Sequence, residues 1–418
     1  MESDALRQQI ADLTALLEVS KHLGSTIELV SLLRRVERAA LSVLDCERAS
    51  VFLYDAAAEE LYSKVATGES EIRFSSKRGV AGDTVRTRSI ENIPDAYADR
   101  RFNREIDRKT GYRTRTILSV PLTGFDGTIV GVLQTLNKHA GVFDRRDEEE
   151  GAILGSLAGV AIQRQMLLEE FAEKQRLVHD LAVAREIQSS LLPKRDPAIE
   201  GYDVAGWNRP ADETGGDCFD YLSLPGGRIG LLVADATGHG IGPALIVSEC
   251  RALIRALSAM TNDLSMIVSR VNELLMQDLT GGRFVTAFFG VLDPREHVIE
   301  YVSAGHGPLM CLRAGMDVGE EMPASTLPLA VVPDFDAKRG APLRMAPGDV
   351  LVLATDGFFE WANDNDEQFG TGRIFETVRA NRAESARHII ERLHEAVVRF
   401  SGGTAQADDL TVIVVRRK

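Results

Sequence analysis

Cysteine is scarce. There are four in 418 residues (Cys46, Cys218, Cys250 and Cys311), with no paired spacing. That argues against a disulfide framework or a cysteine zinc site and suits a reducing compartment. Basic residues are also in deficit: 48 Lys and Arg against 62 Asp and Glu leave a net charge of −14. Nucleic acid is a poor partner for such a chain, because phosphate contacts need clustered cations. No apolar run reaches bilayer length, so no membrane span is expected. The stretch Met1-Glu2-Ser3-Asp4 carries acid where a secretory leader carries base. Together these absences lead us to expect a cytoplasmic protein. The sequence also lacks internal repeats and low-complexity segments. What it has is length for two or three domains and 44% hydrophobic content, enough for packed cores.

Residues 5–23 read as a short amphipathic helix with Leu6, Ile10, Leu13 and Leu17 on one face. Gly24-Ser25-Thr26 interrupts it, and a second helix is expected up to about Leu44. Alternation at Ser50–Tyr54, Ile117–Leu122 and Ile129–Leu136 predicts strands, punctuated by Pro94-Asp95 and Phe125-Asp126-Gly127. From about Asp144 to Leu192 there is no proline, and glycine stops after Gly159. Ile153, Leu157, Val160, Leu167, Phe171, Val178, Leu181 and Leu192 fall on one alternating four-three grid. Arg164, Lys174, Arg185 and Gln188 occupy its remaining places. Such a broken heptad predicts a helix of about 70 Å with coiled-coil tendency, marginal enough to change its packing. Pro193 stops it. Beyond it, helices are expected over about 241–260, 264–279 and 384–400.

Residues 196–418 repeat one design. The segments are Thr214–Asp220, then Ile229–Asp235 with Ala236-Thr237-Gly238-His239-Gly240, then Val350–Thr355 with Asp356-Gly357, and Ala407-Asp408-Asp409-Leu410-Thr411. In three of them an aspartate sits at the edge of an apolar strand, beside a residue that permits a tight turn. A carboxylate there is costly to bury unless something positive meets it. Several such ends brought together repel each other, and a pair of hard divalent cations resolves that repulsion. Magnesium and manganese prefer such oxygen ligands. One Asp-Gly alone is usually only a turn; four in this order say more.

This region resembles the SpoIIE/RsbU branch of the type 2C metal-dependent protein phosphatases. The resemblance is carried by Gly215-Gly216-Asp217-Cys218-Phe219-Asp220, Asp235-Ala236-Thr237-Gly238-His239-Gly240, Phe284–Gly290, Ser303-Ala304-Gly305-His306, Pro347-Gly348-Asp349, Thr355-Asp356-Gly357 and Asp408-Asp409-Leu410-Thr411. Ala184–Gln188 to Leu192-Pro193 matches the helix that precedes such domains. The resemblance implies an αββα sandwich with two Mn2+ or Mg2+ ions. Asp235 would bridge them, Ala236 would offer its carbonyl, Asp217 would hold one ion, and Asp356 and Asp408 would complete the second site. Asp409 stands where eukaryotic relatives have asparagine, so the split between Asp408 and Asp409 is open. His239 and His306 read as loop or packing residues, and Arg209 as a surface residue that could reach phosphate.

The N-terminal region resembles a GAF domain over about 26–165, of the cyclic-nucleotide phosphodiesterase and adenylyl cyclase type. The residues are Gly79–Gly82, Ile93–Tyr97, Arg101-Phe102-Asn103, Asp107–Arg115, and Asn137-Lys138 with Phe143 and Asp147-Glu148. The resemblance implies cAMP or cGMP as a regulatory ligand. Backbone amides at Val80 and Ala81 would start a helix where phosphate binds well. Thr110 and Thr114, four apart, would share a helical turn, Gln134 would meet the base, and Thr67 takes a position where some relatives have aspartate. Another small molecule, or a plain dimerisation module, stays open. Lys138 and Asp147 are expected to form a structural ion pair.

The expected fold is α+β and multidomain: an N-terminal helix (1–25), a GAF sensor (26–165), a helical coiled-coil linker (166–195) and a phosphatase sandwich (196–418). The expected function is a GAF-regulated serine/threonine phosphatase, a homodimer. Its substrate, by resemblance, is a phosphorylated STAS-type anti-sigma-factor antagonist. The competing class is a cyclic-nucleotide-sensing adaptor with an inactive phosphatase fold. A bifunctional kinase-phosphatase is disfavoured, because no ATP-binding glycine motif is present.

Overall fold

A computed structural model describes residues 28–64 and 72–418. The expected helix over 1–25 and the candidate Thr67 lie outside the described residues. The chain divides into two compact units after Arg176.

In the first unit, α1 (Leu29–Val43) leads into β1 (Cys46–Asp55), β2 (Glu60–Ser63), β3 (Ile72–Ser75), α2 (Gly79–Thr87), β4 (Glu91–Ile93), α3 (Arg104–Thr110), β5 (Ile117–Thr123) and β6 (Ile129–Lys138). The strands form one antiparallel sheet in the order β3-β2-β1-β6-β5-β4. The alternation read in the sequence separates its two faces. Val51, Leu53, Val120, Leu122 and Leu133 pack against Leu32, Leu33 and Val36 of α1. Val132 and Ile117 belong to clusters with Ala81 and Val80 of α2.

Helix α4 (Arg145–Leu191) is a single helix of 47 residues. Its first turns join the first core through Leu154, Ala158 and Ile162. Gly155 and Gly159 allow a close approach to β5: a β-carbon at Gly159 would sit 2.3 Å from the Thr123 carbonyl oxygen. The heptad grid is only partly free. Ile153, Val160, Leu167, Phe171 and Val178 are exposed, whereas Leu157, Leu181 and Leu192 are half-buried. One stretch of this helix is, by length and composition alone, apolar enough to cross a bilayer, which the sequence reading had not expected.

In the second unit the strands are β7 (Tyr202–Arg209), β8 (Asp217–Ser223), β9 (Ile229–Ala236), β10 (Val285–Asp293), β11 (Val298–Ala304), β12 (Leu309–Leu312), β13 (Glu320–Met322), β14 (Leu343–Arg344), β15 (Val350–Ala354) and β16 (Leu410–Arg417). They form two five-stranded sheets, β14-β11-β10-β9-β8 and β13-β12-β15-β16-β7. Helices α5 (Ile241–Ser258) and α6 (Leu264–Asp278) cover the first sheet. After the short α7 (Asp356–Glu360), helices α8 (Gly370–Asn381) and α9 (Ala386–Ser401) cover the second. Between the sheets lie Phe219, Leu231, Val233, Phe288, Leu351, Ile413 and Val415. Strands such as Val350–Ala354 are buried along their whole length, which is why they read as continuous apolar runs rather than alternations. Burying each such side chain is worth roughly 1.5–3 kcal/mol. The result is an αββα sandwich.

Candidate metal centre

Strand polarity gathers the acidic turns. β8 starts at Asp217 and β9 ends at Asp235-Ala236, and the antiparallel register sets Asp217 opposite Asp235. In the other sheet, β15 ends at Ala354, paired with Val412. Asp356 and the Asp408-Asp409 pair therefore emerge at one end of that sheet. Thr355 ties the two sheets together there. Its hydroxyl donates to Asp217 Oδ2 at 2.7 Å and accepts from the Thr411 N–H at 3.0 Å. Two glycines are needed for this closeness. A β-carbon at Gly216 would lie 2.7 Å from the Ala236 carbonyl oxygen, and one at Gly357 would lie 2.0 Å from the Asp409 carbonyl oxygen.

The electrostatics are those of a site short of positive charge. Burial raises the Asp217 carboxyl well above its ordinary range, and Asp235 and Asp409 raise it further. Asp235 is pushed up to about 7 by burial, then by Asp356 and Asp408. Asp356 is raised by burial and by Asp408. Mutual repulsion among buried carboxylates is the state a divalent cation relieves. The donor set is all oxygen, which suits Mg2+ or Mn2+. It is not a closed cage: among the described residues no three His, Cys, Asp or Glu side chains converge as ligands. The residues fit the ions in chemistry and charge.

The two neighbouring aspartates differ. Asp409 is buried and accepts from the Ala211 N–H at 2.7 Å and the Asp217 N–H at 3.3 Å. It is a main-chain anchor for the turn that carries Asp217. Asp408 is exposed. The other aspartate of that turn region, Asp220, does not join the cluster. It is buried and pairs with Arg251 and Arg255 of α5. His239 is exposed on its loop, 3.0 Å from Asp212. His306 is buried, which lowers its pKa to about 4. Arg209 turns to His394 of α9, at 3.0 Å.

Sequence reasoning missed two contributors. One is Thr355. The other is Gln188, assigned above to a broken heptad position. In the structure its carboxamide meets the turn before Asp217.

The GAF candidates separate. Val80 and Ala81 lie in the first turn of α2 with their side chains in the core. Gln134 is half-buried on β6, in register with Ser50 and Ser119, and Ser119 accepts a 2.8 Å hydrogen bond from Thr84 of α2. The helical turn expected to join Thr110 and Thr114 does not exist. Helix α3 ends at Thr110, because Gly111 adopts a left-handed conformation, φ 69°. Thr114 instead donates its N–H and hydroxyl to Asp107, at 2.7 and 2.9 Å. Lys138 pairs with Asp147 as expected, at 2.5 Å.

Comparison with known proteins agrees with this division. The family model described as Stage II sporulation protein E (SpoIIE) matches residues 225–418, and the GAF domain model matches residues 28–162. The "Probable 3',5'-cyclic phosphodiesterase pde-5" of Caenorhabditis elegans is 32% identical over 176 residues, 38% of this chain and 24% of the relative. The "Phosphoserine phosphatase RsbU" of Bacillus subtilis (strain 168) is 25% identical over 262 residues, 62% of this chain and 76% of the relative. The chain thus spans about a quarter of the first relative and three quarters of the second. Among solved structures, the SiaA-PP2C domain of Pseudomonas aeruginosa matches the fold with a TM-score of 0.51 and 22% identity, covering 59% of this chain and 98% of that one. The chain carries a GAF domain over residues 28–162, followed by a SpoIIE-type domain over residues 225–418.

Proposed function

We propose that the chain is a metal-dependent protein serine/threonine phosphatase regulated through its GAF domain. The observation that carries this reading is the aspartate cluster at one end of the sandwich, where burial and neighbouring carboxylates raise Asp217, Asp235 and Asp356. Asp235, Asp356, Asp408 and the Ala236 carbonyl would hold two Mn2+ or Mg2+ ions, with Asp217 directly or through water. Bound there, the ions would supply hydroxide at neutral pH and neutralise phosphoryl oxygens. This chain's part is to hold the cluster. Asp409 fixes the Asp217 main chain, Thr355 orients the Asp217 carboxylate, and Gly216 and Gly357 keep the main chain close. No side chain is needed as a covalent nucleophile.

The substrate we propose is a phosphoserine or phosphothreonine on a STAS-type anti-sigma-factor antagonist. The likeness to the relative named phosphoserine phosphatase RsbU supports it. For the GAF domain we propose cAMP or cGMP, supported by the likeness to a relative named as a cyclic phosphodiesterase. Gln134 and the first-turn amides at Val80 and Ala81 are the contacts that remain available. We further propose a parallel homodimer through α4, whose exposed Leu167, Phe171 and Val178 need a partner. A cytoplasmic setting suits four buried, unpaired cysteines.

The test is phosphate release from phosphorylated STAS proteins in Mn2+, with and without cAMP or cGMP. Release that depends on the metal and responds to a nucleotide supports the reading. Nucleotide binding without any phosphate release favours the adaptor.

A further inference from the structure

Gly215 is buried and precedes the first residue of β8, so no strand ladder serves its main chain. A buried N–H and C=O must find partners. Gln188, in the last turn of α4, supplies both. Its side-chain oxygen accepts from the Gly215 N–H at 3.1 Å. Its side-chain nitrogen donates to the Gly215 carbonyl at 2.6 Å. One carboxamide thus plays the part of a neighbouring strand's peptide group.

The segment beyond is held just as specifically. The Gly216 carbonyl accepts from the Ala236 N–H at 2.9 Å, and the Asp217 N–H meets Asp409 at 3.3 Å. A β-carbon at Gly215 would lie 2.5 Å from Asp409 Oδ2, so any side chain there would push that carboxylate aside. The Gly215 main chain is therefore wedged between Gln188 and Asp409, two residues before Asp217. A paired hydrogen bond of this kind is narrow in angle. One residue of helix rotation, about 100°, would carry the carboxamide away.

We infer that Gln188 is a positioning residue: its carboxamide fixes Gly215, and through Gly215-Gly216 it sets how well Asp217 serves the metal centre. This rests on the metal-dependent reading and adds to it the atom pair through which the end of α4 acts on that centre. Rotation or withdrawal of the last turn of α4 would release Gly215 and lower metal affinity without touching a ligand.

The full-length chain is used for the test, with Gln188→Leu, Gln188→Glu and Gln188→Asn, and Ser189→Ala as an exposed neighbour on the same helix. Leucine removes both bonds. Glutamate keeps the acceptor and loses the donor. Asparagine keeps the amide but falls short by one methylene. Three quantities are measured: Mn2+ affinity by calorimetry, hydrogen exchange at the Gly215 amide, and the melting temperature of the metal-free protein. Loss of both hydrogen bonds is expected to weaken Mn2+ binding about tenfold in the leucine variant, and loss of one, in the glutamate and asparagine variants, about threefold. Gly215 exchange should speed up, and Ser189→Ala should match the wild type. A merely structural role would lower the metal-free melting temperature and leave Mn2+ affinity unchanged. Wild-type Mn2+ affinity in both the leucine and glutamate variants overturns the inference. A wild-type protein that binds no Mn2+ and hydrolyses no phosphoester overturns the metal-dependent reading first, and the inference with it.

Discussion

Asp217 and Asp235 stand opposite one another on adjacent antiparallel strands, so two acidic side chains are delivered side by side to one end of a sheet. The cost falls on the metal-free protein. Asp235 titrates near 7 when folded and near 4 when unfolded. Between those values the folded state holds a proton that the unfolded state lacks. Stability therefore falls as pH rises from about 4 to about 7. Asp217, Asp356 and Asp409 are shifted in the same direction. The melting temperature of the chelator-treated protein should decline over this window, and Mn2+ should restore it most at the alkaline end. A metal-free melting temperature that is flat or rising over the same window would contradict the cluster.

Asp235→Asn and Asp356→Asn should separate activity from stability. Hydrolysis of p-nitrophenyl phosphate in Mn2+ should fall by at least about a hundredfold, the scale of losing several kcal/mol of charge stabilisation. The metal-free variants should melt higher than the wild type at pH 8, since a like-charge contact is gone. Near-normal turnover in either variant would remove that residue from the metal centre.

Asp220 belongs to the same strand as Asp217 but should behave otherwise. Asp220→Ala leaves Arg251, itself mostly buried, without its partner. A destabilisation of about 3–5 kcal/mol is expected, read by urea unfolding. Mn2+ affinity of the fraction that stays folded should be unchanged. A stable Asp220→Ala protein that has lost Mn2+ binding would instead make Asp220 a ligand.

In the GAF domain, Thr114→Ala should cost about 1 kcal/mol of stability, the worth of its hydroxyl bond to Asp107. It should not alter cyclic-nucleotide affinity. Gln134→Ala should weaken binding of cAMP or cGMP by calorimetry and leave basal phosphatase activity intact. The opposite pattern would return Thr114 to the ligand site.

The exposed grid on α4 gives a prediction about association. Phe171→Glu with Val178→Glu should convert a dimer to a monomer in sedimentation experiments. Lys174→Leu with Arg185→Leu should tighten pairing and fix activity at one level, insensitive to nucleotide. A wild-type chain that sediments as a monomer at all concentrations would end this part of the reading.

The long helix was legible because proline is absent over its length, and the phosphatase strands because they are apolar on both faces. The acidic turns were legible because an aspartate beside a turn residue at a strand end is a local pattern. Thr355, Asp409 and Gln188 were not legible in their roles. Their partners lie 138, 192 and 27 positions away, and only the folded sheets bring them together. Helix α8 was missed because it opens with Gly370-Thr371-Gly372 and buries only Ile374 and Val378. Thr110 and Thr114 misled because a four-residue spacing means a shared face only inside a helix, and Gly111 ends it.

The 47 residues of α4 also make its length a coded quantity. Within its last turns Val178 is exposed and Gln188 faces a glycine. On a helix the angle between two such positions depends only on how many residues separate them. Inserting one residue between them turns Gln188 by about 100° relative to Val178. Inserting seven turns it by only about 20°. Insertions and deletions in this helix should therefore be tolerated in sevens and penalised in ones and twos, whatever residues they contain. Phase along the rod would then be inherited as strictly as any side chain.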